Sequence, residues 1–416
     1  MRLLVFSWEY PPVIEGGLGR HVRMLSERLV RAGAEVHVVT RGVGQLPVDE
    51  LRQGVRVHRV VQPPFPHEME GFLRWVRRMN LDMAALAGEL CAEHSFDLVH
   101  SHDWLVAQAA ERTAGAAELP WVVTVHATEH GRHQGWVAQP PQSRIHTAER
   151  AMVTRASHVI TCSDYMSRHV AQVFGVQAER ISAIPNGIDP TELVVAPEPE
   201  LAALRERFAR PDERLVLMVG RLVYEKGFHL ALEALAPIMR RDRSLRYVVA
   251  GTGIAEAELR AQVRRLRLVR RGCFIGWADD DLLHGLYRVA DLCIVPSIYE
   301  PFGLVALEAM ASGCLCIVAD TGGLREVVPA NGTAGLRFRP GDAGSLRRLL
   351  ERALTDEQAR RRLVAEARQR VRKFDWDEVT RQTLAVFEML IETDGLTTDN
   401  QARDRRSTQE RLPSQL

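Results

Sequence analysis

The chain has 416 residues, too many for one ordinary hydrophobic core, so two domains are expected. Its 54 basic and 53 acidic residues nearly cancel, which excludes a global nucleic-acid footprint and long-range steering of anions; any phosphate site must be local. Six cysteines are scattered without Cys-x-x-Cys spacing, and the close pair Cys314 and Cys316 lies in an apolar run, so all six read as buried packing thiols.

The opening run, Met1-Arg2-Leu3-Leu4-Val5-Phe6-Ser7, is too short for a signal peptide or a bilayer span, which points to a cytoplasmic protein. Short β-rich runs then alternate with longer helical stretches, the pattern of parallel sheets built from strand-helix-strand units. Predicted strands in the first half are Leu3–Phe6, Val36–Thr40, Val55–Val60, Leu98–Ser101, Val122–His126, Val159–Cys162 and Ile181–Pro185. Those in the second half are Leu215–Val219, Tyr247–Ala250, Cys273–Ile275, Leu292–Val295 and Cys316–Ala319. The expected fold class is α/β, two doubly wound, Rossmann-like sheets over residues 1–189 and 213–374 with a cleft between them. Pro190, Pro197, Pro199 and Pro211 mark 190–212 as a linker with at most one short helix. A last helix is expected over 375–395, and the polar stretch 396–416, without apolar period, reads as a disordered tail.

Such sheets bind ligands at the carboxyl ends of their strands. After the first strand, Glu9 and the pair Gly16-Gly17 precede a helix, where glycines let the backbone approach an anion; a tight turn is the alternative. Gly16-x-x-Gly19 does not make the dinucleotide fingerprint, so a nicotinamide enzyme is not expected. His102-Asp103 and His126 to Arg132 follow apolar runs and should face the cleft, His126 being the better placed. Arg221 and Lys226 follow the first strand of the second half and could grip a pyrophosphate, although singly they would be ordinary surface cations. Asp279-Asp280-Asp281 and Asp375-Trp376-Asp377 precede helices and read as caps rather than metal ligands. No His/Cys cluster has zinc spacing, so no catalytic metal is expected.

Glu300 follows the Leu292–Val295 run, and Pro301-Phe302-Gly303 opens the next helix. Eight helical steps put Glu308 about 12 Å away, the scale of a hexose and a ribose joined by a pyrophosphate. Thr321-Gly322-Gly323 follows the last strong strand, and its glycines could offer N–H groups to an anion; a simple turn is the alternative.

In order, Gly220-Arg221-Leu-x-x-x-Lys226-Gly227, Glu300-Pro-Phe-Gly-Leu-x-x-x-Glu308 and Thr321-Gly322-Gly323-Leu resemble the retaining GT-B glycosyltransferases of group 1, in their glycogen synthase-like branch. The resemblance spans about residues 1–395. It implies transfer of a hexosyl unit from a nucleoside diphosphate, with Glu300 and His126 at the reaction centre and Glu308 on the ribose. It also implies Arg221, Lys226, Gly16, Gly17, Thr321, Gly322 and Gly323 on the diphosphate, Phe302, Gly303 and Leu304 on the donor sugar, and Ile275 and Gly276 on the base. Glu9, His102, Asp103 and Arg132 are candidates for the acceptor side, and Trp376–Leu390 would cross back to the first domain.

No cofactor is implied, since the nucleotide sugar is a substrate; the partners are that donor and a carbohydrate acceptor. Glu15 stands where synthases using ADP-glucose carry lysine, which leaves the base open. The run His126-Ala-Thr-Glu-His-Gly-Arg132 looks most like actinobacterial and archaeal α-glucan synthases, which favours glucose and an α-1,4-glucan. Mannosyl or N-acetylglucosaminyl transfer to a lipid or small molecule is the alternative; a nucleotide-sugar epimerase and a non-catalytic nucleotide-binding protein are rivals.

Overall fold

The computed structural model describes residues 1–409 except 67, 194 and 195, with side chains described as far as 393. The first sheet contains β1 (Arg2–Phe6), β2 (Glu35–Gly42), β3 (Asp49–Arg52), β4 (Val55–Val61), β5 (Leu98–His102), β6 (Trp121–Val125), β7 (His158–Thr161) and β8 (Ile181–Ala183). Their order is β3-β4-β2-β1-β5-β6-β7-β8, parallel except where β3 meets β4. The second sheet, β11-β10-β9-β12-β13-β14, is parallel throughout. Its strands are β9 (Arg214–Val219), β10 (Leu245–Ala250), β11 (Gly272–Gly276), β12 (Leu292–Val295), β13 (Leu315–Ala319) and β14 (Leu336–Phe338).

Helices cover both faces of each sheet, so central strands such as Leu3–Phe6 and Leu292–Val295 are buried along their whole length and show no polar alternation. β3 and β14 were not among the expected strands. Asp49-Glu50-Leu51-Arg52 has little β propensity; it is held as an edge by pairing with β4 and by the buried Arg59, whose guanidinium donates to Glu50 at 2.7 Å. β14 has only three residues.

The helix Glu198–Phe208 lies in the linker stretch and is fixed to the second half, where Arg205 donates to the Glu213 carbonyl at 2.7 Å and to Asp291 at 2.9 Å. The last helix runs from Trp376 to Gln409, beyond the expected end at 395. After Gly395 no proline or further glycine interrupts it before Gln409, so nothing local stops the helix; 410–416 of the expected tail lie outside the described residues. Its Trp376, Val379, Val386 and Phe387 pack in one apolar cluster with Leu3, Val5, Val22 and Leu25 of the first half. All six cysteines are unpaired, but Cys91, near a helix end, and Cys273, on the edge strand β11, are only half-buried. No described helix is long and apolar enough to cross a membrane.

Candidate active site

In the second sheet β9 lies between β10 and β12, so the chain order reverses there and the loops after β9 and β12 part around a crevice. Lys226 bridges it: its Nζ donates to Glu300 Oε2 at 2.8 Å, and Ser297 Oγ, from the same loop as Glu300, donates to that oxygen at 2.9 Å. Glu300 is buried, so its charge is balanced by direct contacts rather than by water. The helix Leu304–Ala311 begins immediately after this loop with no side-chain cap, leaving its first amides for a ligand.

Glu308, further along that helix, accepts from Tyr287 Oη at 3.0 Å and from Arg20 Nη1 at 3.1 Å. Arg20 belongs to the helix Gly17–Arg31 of the first half, and its other nitrogen pairs with Asp280. Asp279 caps the helix Asp280–Val289 by accepting from Leu282 N at 2.9 Å.

The glycine turn departs from expectation. Gly322 has φ +52°, and a Cβ there would lie 2.0 Å from the Glu300 carbonyl oxygen. This closeness lets Gly323 N donate to Glu300 O at 2.9 Å, while Thr321 Oγ1 donates to the Ile298 carbonyl at 3.1 Å. Thr321 and Gly323 therefore brace the Glu300 loop, and these donors are not offered to an anion. At the other end of the sheet, pairing steps from Val249↔Phe274 to Ala250↔Gly276, so Ile275 is bulged out of the ladder while the Gly276 carbonyl accepts from Gly251 N at 2.7 Å.

The first half packs directly against these loops. A Cβ on Gly17 would lie 2.7 Å from Leu304 Cδ1, so the two halves touch there and a larger residue would push the leucine side chain aside. Gly16 N donates to Glu9 Oε2 at 3.1 Å and Glu15 N to the same oxygen at 2.8 Å. Glu9, Asp103 and His102 were expected to face an acceptor, but all three are buried and serve neighbours instead. Glu9 holds the glycine loop, and burial raises its pKa. Asp103, at φ +59°, accepts from His126 N at 2.7 Å, and burial pushes its carboxyl up to about 6. His102 Nδ1 lies 3.0 Å from His126 Nε2.

His126 follows β6 at the rim of the first sheet, half-buried, and desolvation lowers its pKa to about 3. Arg132, in the short helix Glu129–Arg132, senses the charges of Asp103, Glu149 and Glu129. Arg221 keeps about half its side-chain surface exposed beside Glu225 at 3.8 Å; desolvation, then the nearby Arg132, lower its pKa. Cations from both halves thus share one space. His21, His102 and His126 also converge, their ligand nitrogens within 4.8 Å of one another.

Several participants had no sequence signal of their own. Tyr299 reaches the first half, where its hydroxyl accepts from Thr128 N at 3.2 Å and its ring occupies the space that a Cβ on Gly131 would need. Ser163 Oγ donates to the Pro301 carbonyl at 2.7 Å. Ser297, Tyr287 and Arg20 lie within or beside quoted motifs, but only spacing across the fold reveals their partners.

Residues 15–192 match the Glycosyltransferase Family 4 model, and 202–370 match the model described as Glycosyl transferases group 1. The chain is 40% identical to a glycogen synthase of Mycobacterium tuberculosis over 93% of its own length and 94% of the relative's. It is 32% identical to a D-inositol 3-phosphate glycosyltransferase of Xylanimonas cellulosilytica, covering 89% and 91% of the two chains. The structure of a sucrose-phosphate synthase from Thermosynechococcus elongatus superposes with a TM-score of 0.80 at 26% identity, covering 94% and 99%.

Proposed function

Because the chain belongs to the group 1 glycosyltransferases and has their GT-B fold, we propose that it moves glucose from UDP- or ADP-glucose onto an α-1,4-glucan with retention of anomeric configuration. The observation that carries this reading is the Lys226–Glu300 pair across the switch-point crevice, beside Arg221, which senses both Glu300 and Arg132 of the other half. A diphosphate entering the crevice would meet Lys226, Arg221 and the uncapped start of the Leu304–Ala311 helix. Those charges stabilise the leaving diphosphate without a metal ion. Lys226, drawn toward phosphate, would free Glu300 Oε2 for a sugar hydroxyl; Glu308 would exchange its Tyr287 or Arg20 contact for the ribose. The bulged Ile275 presents backbone groups suited to a base edge.

The glucan acceptor rests on the 40% identical glycogen synthase. The D-inositol 3-phosphate glycosyltransferase relative supports a second reading, N-acetylglucosaminyl or mannosyl transfer to a small molecule. Purified protein incubated with UDP-, ADP- and GDP-sugars, with malto-oligosaccharide or D-inositol 3-phosphate, separates them by product mass. Chain elongation from a glucose donor with a new α-linkage by NMR is expected. Exclusive use of GDP-mannose, or transfer only to the inositol phosphate, would reject the glucan reading. Turnover is expected to survive EDTA; loss restored by a divalent cation would reject the metal-free mechanism.

A further inference from the structure

The three histidines that meet beneath the cleft come from distant segments: His21 from the helix Gly17–Arg31, His102 from the end of β5 and His126 from the loop after β6. Their rings pack closely, His21 edge-on to His126 at 4.8 Å between centroids and to His102 at 5.6 Å. Trp376 of the last helix covers His21 from the other side at 5.4 Å.

This packing leaves polar atoms without partners. Nε2 of His102 is buried without a hydrogen-bond partner, and the ring nitrogens of His21 and Oδ1 of Asn186 are buried with no hydrogen bond of normal geometry. Asn186 makes a distorted side-chain contact with the His21 ring, so it lies within reach of the same point. Each such buried polar atom costs about 1–3 kcal/mol, and each neutral ring offers one lone pair, so the cluster suits a guest that accepts lone pairs, with the remaining His21 N–H left toward Asn186. Three imidazoles with an amide oxygen nearby form a nitrogen-rich donor set that suits zinc and its first-row neighbours rather than magnesium or calcium.

We propose that His21, His102 and His126, with Asn186 as the fourth donor, form a site for a divalent first-row transition ion such as zinc, and that this ion obstructs the donor-sugar end of the cleft. The obstruction rests on the placement of His126 beside the transferred sugar; the binding itself does not. Occupation engages His126 Nε2 and replaces its contact with His102 Nδ1, so the ion inhibits and takes no part in the transfer.

EDTA-treated full-length protein titrated with Co²⁺ in the absence of substrate is expected to develop visible d–d absorption that one equivalent of Zn²⁺ abolishes. Zn²⁺ is expected to inhibit transfer competitively with the nucleotide sugar. His21→Phe keeps a ring against Trp376 but offers no lone pair; it should retain metal-free turnover and raise the half-inhibitory Zn²⁺ concentration at least about tenfold. If His21→Phe fails to fold by circular dichroism, His21→Gln serves the same comparison. Absence of the cobalt band, or equal zinc sensitivity in the wild type and the folded His21 variant, would overturn the site. Stoichiometric zinc binding that leaves the donor KM unchanged would overturn the obstruction and move His126 away from the sugar, without bearing on whether the protein transfers glucose.

Discussion

Glu300 and Lys226 are each other's counter-ion in a buried setting, and this gives them separable contributions to folding and catalysis. Glu300→Gln keeps the shape and a hydrogen-bond acceptor but loses the charge facing the sugar. It is expected to lower kcat about 10²–10³-fold with little change in nucleotide affinity, as read by steady-state rates and calorimetry. Lys226→Met leaves a buried carboxylate unpaired and should destabilise the fold by about 2–3 kcal/mol in urea unfolding. The double variant Lys226→Met/Glu300→Gln should recover most of that stability and none of the activity; additive losses would show the pair does not interact.

A neighbouring carboxyl responds to pH. Glu149 accepts from Glu129 N through both oxygens, at 2.8 and 3.0 Å, and burial pushes its pKa up to about 8. Over the range between the ordinary carboxyl value and about 8, the folded protein holds a proton that the unfolded chain releases. This contribution to stability is therefore complete at low pH and lost as pH rises through about 8. Glu149→Gln should change the unfolding free energy little at about pH 5 and raise it at about pH 9, by an amount on the order of a few kcal/mol in urea unfolding. An unchanged pH profile would show that Glu149 is already ionised.

At the scale of elements, the strands that form the cores were legible because burial on both faces requires unbroken runs such as Leu292-Cys-Ile-Val295. β3 was not, since its charged residues are ordinary loop chemistry until Arg59 and β4 hold them. The site divides in the same way. Spacing placed Glu300, Arg221 and Lys226 at strand ends and Glu308 along the helix that follows Glu300, because strand-end position follows from chain order. It did not show that Thr321 and Gly323 bind back to the Glu300 loop, or that Glu9, His102 and Asp103 are buried supports, because those depend on contacts between distant segments. The last helix illustrates the point in energetic terms: Trp376 is 4% exposed and fills space against Gly187, where a Cβ would meet its ring at 2.7 Å. Trp376→Ala should cost about 3–5 kcal/mol in denaturant unfolding, and a loss under about 1 kcal/mol would show that the helix is only loosely attached.

Across the whole molecule, the two halves meet through Arg20–Glu308, Thr128–Tyr299, Ser163–Pro301 and Gly17–Leu304. Because the candidate donor contacts come from both sides, occupancy of the crevice should hold the halves together. Small-angle scattering is expected to show a smaller radius of gyration with nucleotide sugar than without it, and Gly131→Ala, which intrudes on the Tyr299 ring, should weaken that compaction and raise the donor KM. Identical scattering curves with and without donor would argue for a permanently closed cleft.

The crossing of the last helix also bears on how the chain is made. Phe387 and Trp376 complete an apolar cluster whose other members include Leu3, Val5, Val22 and Leu25, all synthesised first. The first sheet can form its hydrogen bonds early, yet one of its faces waits for a segment that emerges roughly 200 residues after β8, about 10–40 s later at ordinary elongation rates. During that interval the nascent first half presents an uncovered apolar surface to its surroundings. Its core is finished only when the second half has already been translated, so the two halves mature together rather than in succession.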